Sequence, residues 1–405
     1  MSQTFVIVGA GLAAAKAAEE LREAGFDGSI VLYGDEPHAP YERPPLSKGY
    51  LLGNDQLDTA YVHPEAWYAE HNVELRLGTP VTAIDVGGHT VTAGGNTQPY
   101  DKLLLSTGAS PRHMAIADDS GAEVAYLRTM EDSTRLKSAF AGGKRVVIIG
   151  AGWIGLEAAS AARAAEATVT VLEAADLPLL RVLGPEVAQA FAALHRSHGV
   201  DLRTNVEVTG VDAEGGHTLV RLADGSTVEA DLLVVGVGVT PNTGLAETAG
   251  LKTDNGIVVD EHLRSSDPDV FAAGDVANAA HPVLGRSLRV EHWDNAIEQG
   301  KTAAHAMLGE DVRYDRMPYF FTDQYDLGME YVGNVGPDGH DELVVRGDLD
   351  GLVFTAFWLS EGTVLAAMQA NDWDAGDAIR ALVGTKVEVA RLRDESVPLG
   401  EVASA

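Results

Sequence analysis

Two glycine-rich turns are the residues whose spacing most directly indicates chemistry. The first reads Gly9-Ala10-Gly11-Leu12-Ala13-Ala14 and the second reads Gly150-Ala151-Gly152-Trp153-Ile154-Gly155. The first glycine allows a tight bend, the second lets a pyrophosphate approach the backbone, and a small third residue lets a helix pack closely on a strand. The N-terminus of the following helix would offer amide N–H groups and partial positive charge to the phosphates. The two turns therefore predict two dinucleotide sites.

A carboxylate follows the second turn at the separation expected for ribose recognition. Glu173 ends the strand-like run that lies about 20 residues after the glycines. A carboxylate in this place accepts hydrogen bonds from the adenosine ribose hydroxyls of NAD and repels the 2′-phosphate of NADP. No arginine adjoins Glu173 in the sequence. We therefore expect NADH, not NADPH, at the second turn.

A strand must precede each turn, and a helix and a second strand must follow it, for this geometry to form. Apolar β-branched runs predict strands at 4–8, 29–33, 145–149 and 168–172, with helices at 13–21 and 156–165. A single glycine turn also occurs in α/β proteins that bind no nucleotide. Two turns, each within a full strand–turn–helix–strand unit, favour nucleotide binding.

The chain contains no cysteine, which excludes a disulfide framework, a thiolate metal site and a thiol relay of electrons. His195 and His198 share a predicted helix face, but no further ligands accompany them. A zinc site needs three or four converging ligands. We therefore expect solvated histidines here, and no metal.

The order of the motifs resembles that of flavoproteins with two dinucleotide-binding domains and the glutathione reductase fold. Three further runs carry the resemblance: Leu103-Leu104-Leu105-Ser106-Thr107-Gly108, Val234 to Asn242, and Ser266 to Asp275. The resemblance implies an α/β fold with two Rossmann-like domains, the NAD domain being inserted in the FAD domain, plus a C-terminal α+β domain. It implies an FAD-binding domain at 1–110 and 237–318, an NAD-binding domain at 111–236 and an interface domain at 319–405.

The segment Pro40-Tyr41-Glu42-Arg43-Pro44-Pro45-Leu46-Ser47-Lys48 is similar to that of NADH-dependent ferredoxin reductases, which serve bacterial oxygenases and cytochromes P450. Disulfide reductases of the fold carry two cysteines in the corresponding stretch. The resemblance implies that FAD and NADH are the cofactors, and that a [2Fe–2S] ferredoxin is the electron acceptor.

The same resemblance implies the residues of each site. For FAD these are Gly9, Gly11, Ala14, Asp35, Arg43, Lys48, Thr107, Gly108, Asp275, Glu291, His292 and Trp293. For NAD they are Gly150, Gly152, Gly155, Glu157, Glu173 and Gly238.

Three of these residues are expected to act in catalysis. An ammonium at Lys48 would stabilise the anion formed when flavin is reduced, and Glu157 would pair with it. Trp293, within the run Glu291-His292-Trp293, would cover the flavin ring. The alternatives are a solvated lysine in a Pro-rich turn, a glutamate favoured by the helix dipole, and a tryptophan used for packing.

The sequence departs from the family pattern in two places. Gly34 stands where many relatives have the ribose-binding carboxylate, so we assign that role to Asp35. Phe321 and Thr322 stand where tryptophan and serine are expected. The fold should survive both changes, and the choice of redox partner is what they affect. In the remaining C-terminal part, strand-like runs at 330–334, 342–348, 352–359 and 363–369 precede two short helices near 374–382 and 386–392.

The formal net charge of −31 argues against nucleic acid and anionic membranes as partners. No apolar run is long enough to cross a membrane, so we expect a cytoplasmic protein, as a monomer or weak homodimer. Ferredoxins are commonly acidic, so a basic docking face would be needed. Its candidates, among interspersed carboxylates, are Arg286, Arg289, Lys301, Arg313 and Arg316, and a mixed solvated surface is the alternative.

Other outlets for the electrons stay open from the sequence. The acceptor could be rubredoxin or a small organic radical, and oxygen could be reduced slowly to peroxide. A different class is an NADH-sensing interaction protein that resembles apoptosis-inducing factor, in which NADH binding changes assembly.

Overall fold

A computed structural model describes residues 3–337 and 339–403. The strands of this part, β1 to β26 in chain order, are Thr4–Val8, Ser29–Tyr33, Val73–Arg76, Val81–Asp85, Thr90–Ala93, Asn96–Pro99, Lys102–Leu105, Ala109–Pro111, Val124–Ala125, Arg145–Ile149, Thr168–Leu172, Asp201–Arg203, Val208–Glu214, His217–Leu222, Thr227–Ala230, Leu232–Val235, Val239–Pro241, Ile257–Val259, Val270–Ala272, Ala277–His281, Arg286–Arg289, Tyr319–Gln324, Leu327–Gly333, Glu342–Asp348, Val353–Ser360 and Thr363–Ala370.

The α-helices of the same residues are designated α1 to α11. They are Leu12–Glu23, Gly49–Leu52, Glu65–Glu70, Ala115–Asp118, Met130–Phe140, Trp153–Ala164, Leu180–Ser197, Gly244–Thr248, Trp293–Met307, Gly376–Leu382 and Val389–Arg393. Short 3₁₀ turns cover Pro44–Leu46, Leu57–Ala60, Trp373–Ala375 and Leu399–Glu401.

One compact unit comprises residues 1–44, 57–110 and 239–318. Its centre is a five-stranded parallel sheet in the order β19-β7-β1-β2-β3. Strands β1 and β2 have the predicted bounds. Strand β1 is buried over Phe5–Val8, as expected for a parallel strand covered on both faces. Helices α1 and α9 pack against each other, and Gly300 permits this, since a Cβ there would lie 2.5 Å from the carbonyl oxygen of Ala13.

The second compact unit comprises residues 45–56, 111–238 and 319–405. It contains another five-stranded parallel sheet, in the order β12-β11-β10-β16-β9, and strands β10 and β11 again have the predicted bounds. Helix α6 begins at Trp153, three residues before the predicted start, and ends at Ala164. The segment 45–56, which the resemblance puts in the FAD domain, lies in this second unit.

The C-terminal part of the second unit is an antiparallel sheet in the order β22-β23-β26-β25-β24. Trp358 of β25 is fully buried in the same apolar core as Phe191 of α7. Its indole Nε1 donates to the carbonyl oxygen of Leu183, 3.1 Å away, so the polar end of the ring is also satisfied. The expected α/β fold with a C-terminal α+β part is confirmed.

Within residues 3–337 and 339–403, no helix combines the length and the apolar character that crossing a membrane requires.

Candidate functional site

The first glycine turn joins β1 to α1 in the conformation that its sequence predicts. Gly9 has φ +107°, and a Cβ there would lie 2.2 Å from the carbonyl oxygen of Ser106, so only glycine fits. Gly11 is the N-cap of α1, with φ −94°, which any residue adopts. Ala14 is fully buried in the first turn of the helix.

The second glycine turn joins β10 to α6 in the same way. Gly150 has φ +101°, and a Cβ there would lie 2.4 Å from the carbonyl oxygen of Gly236. Gly152 is the N-cap of α6. Gly155 lies so close to the turn that a Cβ would be 2.1 Å from the carbonyl oxygen of Gly150. Helix α6 can therefore approach the turn only because residue 155 has no side chain.

Both turns fit a bound dinucleotide. Among the described residues, no atom from another part of the chain lies within 4 Å of a Cβ built at Gly11 or Gly152. The N-terminus of a helix of 12 residues follows each of them. Open space beside a glycine at a helix N-terminus is what a pyrophosphate requires.

The carboxylate of Glu173 lies next to the second turn. Its Oε2 accepts from the amide of Ala151, 2.7 Å away, and its Oε1 accepts from the amide of Ala175, 2.8 Å away. Two amide donors fix the orientation of an ionised carboxylate. Glu173 is thus held at the turn, where the sequence predicts ribose recognition. Gly238 has φ +101°, and its carbonyl oxygen accepts from the amide of Arg112, an exposed residue absent from the predicted set, at 2.9 Å.

The residues after β2 form a small polar cluster. Asp35 is exposed, and its Oδ1 accepts from the amide of Glu36, 3.1 Å away. The carboxylate of Glu36 accepts from the hydroxyl of Tyr41 at 2.6 Å and from the guanidinium of Arg43 at 3.3 Å. Glu36 and Tyr41 were not predicted as site residues. A signal for them was available, because Glu36 and Tyr41 lie in the same short loop as the predicted Arg43.

Thr107 and Gly108 lie just after strand β7. The hydroxyl of Thr107 donates to the carbonyl oxygen of Asn242 at 2.8 Å, and the amide of Asn242 donates to Gly108 O at 2.9 Å. Gly274, next to Asp275, has φ +80°, and its amide donates to Gln299 of α9 at 2.8 Å.

The run Glu291-His292-Trp293 forms the start of α9, and His292 is its N-cap. Glu291 is ion-paired with Arg289 at 2.5 Å, and Arg289 also donates to the carbonyl oxygen of Asp275 at 3.1 Å. Burial lowers the pKa of His292 to about 4, although the nearby carboxylates of Asp275 and Asp294 act in the opposite direction. The structure therefore brings Asp275 and residues 289–292 into one cluster in the first unit.

Lys48 and Glu157 form an ion pair in the second unit, with 2.7 Å between Nζ and Oε1. The side chains are 13% and 2% exposed. Oε1 of Glu157 also accepts from the hydroxyl of Thr322 at 2.6 Å, and Oε2 accepts from the hydroxyl of Ser47 at 2.5 Å. Burying two charges is costly unless they are paired and hydrogen-bonded, and both conditions hold here.

The two departures at 321 and 322 lie at this ion pair. The ring of Phe321 faces the Lys48 ammonium, 5.2 Å from ring centroid to Nζ, which is a cation–π distance. Burial raises the pKa of the neighbouring Asp323, whereas Lys48 lowers it and Glu157 raises it. Ser47 and Gln324 complete the surroundings and were not predicted. Residues about 110 and 165 positions away in the chain supply these contacts, so no local pattern announces them.

The prediction of a solvated His195 is wrong. The side chain has no exposed surface, and burial lowers its pKa to about 4. Its Nε2 lies 2.8 Å from Oε1 of Gln324, and its Nδ1 lies 3.2 Å from the hydroxyl of Tyr325. His198 stacks on the Tyr325 ring at 3.8 Å. Strand β22 covers this face of α7, which the helix sequence alone does not reveal. In the part of the chain that the structure describes, no group of histidine and carboxylate side chains could hold a metal ion.

Comparison with known proteins gives matches along the chain. Residues 3–300 match the pyridine nucleotide-disulphide oxidoreductase family, and residues 319–403 match the reductase C-terminal family. Putidaredoxin reductase of Pseudomonas putida is 38% identical over 413 residues, covering 100% of this chain and 97% of that protein. The ferredoxin–NAD(+) reductase component of the anthranilate 1,2-dioxygenase system of Burkholderia cepacia is 41% identical over 400 residues, covering 98% of each.

Among solved structures, the covalent putidaredoxin reductase–putidaredoxin complex matches with a TM-score of 0.94 at 38% identity, covering 98% of this chain and 97% of that one. Members of the family and the putidaredoxin reductase homologues depend on FAD and NADH, which confirms both expected cofactors. The chain therefore belongs to the pyridine nucleotide-disulphide oxidoreductase family, among the putidaredoxin reductase-like ferredoxin–NAD(+) reductases.

Proposed function

We propose that this chain passes electrons from NADH, through FAD, to a [2Fe–2S] ferredoxin that serves a cytochrome P450 or an oxygenase. The named relatives are a putidaredoxin reductase and a reductase component of a dioxygenase system, and one solved match is a complex with putidaredoxin. These names support a ferredoxin acceptor. With no cysteine in the chain, no thiol of the protein can take the electrons on the way.

The observation that carries the proposal is the buried pair of Lys48 and Glu157. Desolvating two charges costs free energy that well-packed apolar side chains would not. A largely buried, hydrogen-bonded ion pair in a nucleotide-binding unit is therefore a candidate for chemistry. Lys48 supplies positive charge where negative charge develops on reduction, and Glu157 keeps the ammonium in place.

The remaining residues have binding roles in this proposal. In the first unit, Gly9, Gly11 and Ala14 hold the FAD pyrophosphate beside α1, with Arg43 as a second phosphate contact and Asp35 at the ribose. Thr107, Gly108, Asp275, Glu291, His292 and Trp293 take the remainder of FAD. In the second unit, Gly150, Gly152, Gly155 and Gly238 hold the pyrophosphate of NADH, and Glu173 holds its ribose.

A bound FAD would supply the redox chemistry that connects NADH, a donor of two electrons, with an iron–sulfur protein that accepts one electron at a time. Lys48 and Glu157 orient the nicotinamide and balance the charge that moves. The overall reaction converts NADH and two oxidised ferredoxins into NAD⁺, two reduced ferredoxins and one proton.

Anaerobic stopped-flow absorbance with NADH tests the role of Lys48. We expect Lys48→Met to slow bleaching of the bound flavin about a hundredfold, the usual order for removing one electrostatic stabiliser. The matched control is Lys252→Met, which removes an exposed lysine of the other unit and should leave the rate unchanged. An unchanged rate in Lys48→Met would contradict the catalytic assignment.

Cytochrome c reduction with and without a [2Fe–2S] ferredoxin tests the acceptor. A large gain on adding ferredoxin, with NADH preferred over NADPH, is the expected result. If NADH is oxidised but none of several ferredoxins raises the rate of cytochrome c reduction, the assignment of FAD and NADH stands and ferredoxin is rejected as the acceptor.

A further inference from the structure

Four polar side chains follow one another through the interior of the second unit. Glu157 of α6, Thr322 and Gln324 of β22, and His195 of α7 are each at most 3% exposed. The successive hydrogen bonds measure 2.6 Å from Thr322 to Glu157, 3.2 Å from Gln324 to Thr322, and 2.8 Å between His195 and Gln324. The series of hydrogen bonds ends at Tyr325, whose hydroxyl lies 3.2 Å from Nδ1 of His195.

The direction of every bond follows from the donors available. The Glu157 carboxylate only accepts, so the single hydroxyl proton of Thr322 is donated to it. The Thr322 oxygen then accepts from the amide nitrogen of Gln324, as the geometry has it. Oε1 of Gln324 is consequently an acceptor, and Nε2 of His195 must carry a proton. Nδ1 of His195 is left to accept from the hydroxyl of Tyr325.

One tautomer of His195 is thus required, and the imidazole must be neutral. A doubly protonated ring would place a charge in a site without exposed surface. Burial, which lowers the pKa of His195 to about 4, agrees with this state.

The chain of bonds is not a route for protons. Gln324 stands between His195 and Thr322, and a carboxamide passes a proton only through a high-energy imidic acid form. What the bonds can do is fix positions. Thr322 supplies one of three donors to Glu157, and Gln324 and His195 determine where that hydroxyl points.

We infer that Thr322, Gln324 and His195 are positioning residues that hold the Glu157 carboxylate, and through it the Lys48 ammonium, for hydride transfer from NADH. The inference rests on the proposed function of Lys48 and Glu157. It also gives a role to Thr322, one of the residues that depart from the family pattern.

The matched pair of variants is Thr322→Val, which keeps the shape and removes the hydroxyl, and Thr322→Ser, which keeps the hydroxyl. In anaerobic stopped-flow with the FAD-loaded protein, Thr322→Val should reduce the limiting rate of flavin reduction about tenfold, the order expected when a charge-assisted bond that orients a catalytic group is lost. The NADH dissociation constant from the same data should change less than about twofold, because Glu173 is untouched. Thr322→Ser should restore the rate.

A second measurement does not depend on turnover. Nitrogen-15 NMR of the imidazoles in the FAD-loaded protein reports each histidine tautomer, and His195→Gln identifies the signal of His195 among the 13 histidines. We expect a neutral ring protonated at Nε2 at pH 6. A ring protonated at Nδ1, or at both nitrogens, would overturn the inference even if Thr322→Val fails to fold.

The two proposals fail in different ways. If Lys48→Met slows flavin reduction and Thr322→Val matches the wild type, this inference is wrong and the proposed function stands. If Lys48→Met leaves the rate unchanged, the proposed function is wrong and the inference is rejected with it.

Discussion

The two glycine turns make the same backbone hydrogen bond to the neighbouring strand, and the residue that follows this strand is different in the two units. In the first unit the amide of Gly9 donates to Tyr33 O at 2.9 Å, and in the second the amide of Gly150 donates to Leu172 O at 2.8 Å. The next residue is Gly34 in one and Glu173 in the other. A Cβ at Gly34 would lie 2.6 Å from the Ala10 methyl, whereas Glu173 turns back to the amide of Ala151.

The second turn therefore has an oriented carboxylate beside it, whereas the equivalent residue of the first unit, Gly34, has no side chain. Ala10 and Ala151 occupy the same position in their turns, so the neighbour is the same residue type. In the first unit the space beside Gly34 is taken by the Ala10 methyl, and the nearest carboxylate is the exposed Asp35. Ribose recognition by Asp35, one residue later in the chain than the position of Glu173, stays a prediction.

The largest effect is expected at the last residue of the two glycine turns, which is Ala14 in the first and Gly155 in the second. Gly155→Ala would place a methyl 2.1 Å from the carbonyl oxygen of Gly150, so α6 must move. We expect a loss of about 3 kcal/mol in the free energy of unfolding, typical of forced overpacking. The measurement is urea unfolding of the FAD-loaded protein.

The reciprocal variant in the first unit is the control. Ala14→Gly creates no clash and should cost about 1–2 kcal/mol, from the helix propensity difference and the loss of one buried methyl. Equal losses in the two variants would show that α1 and α6 approach their turns equally closely, contrary to the structure.

The next effect concerns pH and the buried His195. Its pKa is about 4 in the folded protein, below its ordinary value of 6.5, so between these values the unfolded chain binds a proton that the folded chain does not. His195 should therefore contribute a loss of stability as the pH falls, of at most about 1.4 kcal/mol per pH unit between about 6.5 and 4, and the buried His292 acts in the same direction.

His195→Gln removes this titrating group and keeps a donor near the Nε2 position. Unfolding at pH 7 and at pH 5 should show a smaller acid loss in this variant than in the wild type. His113→Gln, at an exposed histidine, should behave as the wild type does. If His195→Gln retains the full pH dependence, His195 is not the neutral buried group described.

Local sequence patterns predicted the parallel strands well. Strands β1, β2, β10 and β11 have the expected bounds because each is a short apolar run before a glycine or turn. The predicted start of α6 was late, since Gly155 interrupts a helical pattern although it lies inside the first turn. The hairpins β4–β6 and β13–β15 were not predicted. In β4 only Ile84 is buried, and so the alternation of apolar residues is weak.

The surroundings of Glu157 could not be predicted, because they are assembled from distant parts of the chain. The pair with Lys48 came from a resemblance, and the hydrogen bonds from Ser47 and Thr322 came only from the fold. The prediction for His195 was wrong for the same reason, because the side chain that contacts its Nε2, Gln324, lies 129 residues away in the chain. A helix sequence shows which residues share a face, and another element decides whether that face is exposed.

A smaller effect is expected at the carboxylate of Glu173. Glu173→Gln keeps an acceptor for Ala151 and removes the charge. We expect the NADH dissociation constant to rise about tenfold, the order of one charge-assisted hydrogen bond, and the preference over NADPH to fall. Titration of the FAD-loaded protein with NAD⁺ or NADH measures this. Asp35→Asn in the first unit should leave NADH binding unchanged, and a similar loss in both variants would reject Glu173 as the ribose ligand.

The smallest effect is expected at the five cations between residues 286 and 316 that are candidates for a ferredoxin-docking face. Carboxylates pair with these cations: Arg289 with Glu291, Lys301 with Glu298, Arg313 with Glu261 and Arg316 with Asp294. Paired cations contribute little net field, and single exposed pairs are worth about 0–1 kcal/mol. Charge reversal at Arg286 and Arg313 should therefore change the ferredoxin reduction rate less than about threefold at physiological salt. A loss of tenfold or more at low salt, absent in Lys252→Glu, would show instead that these cations attract an acidic partner despite their neighbours.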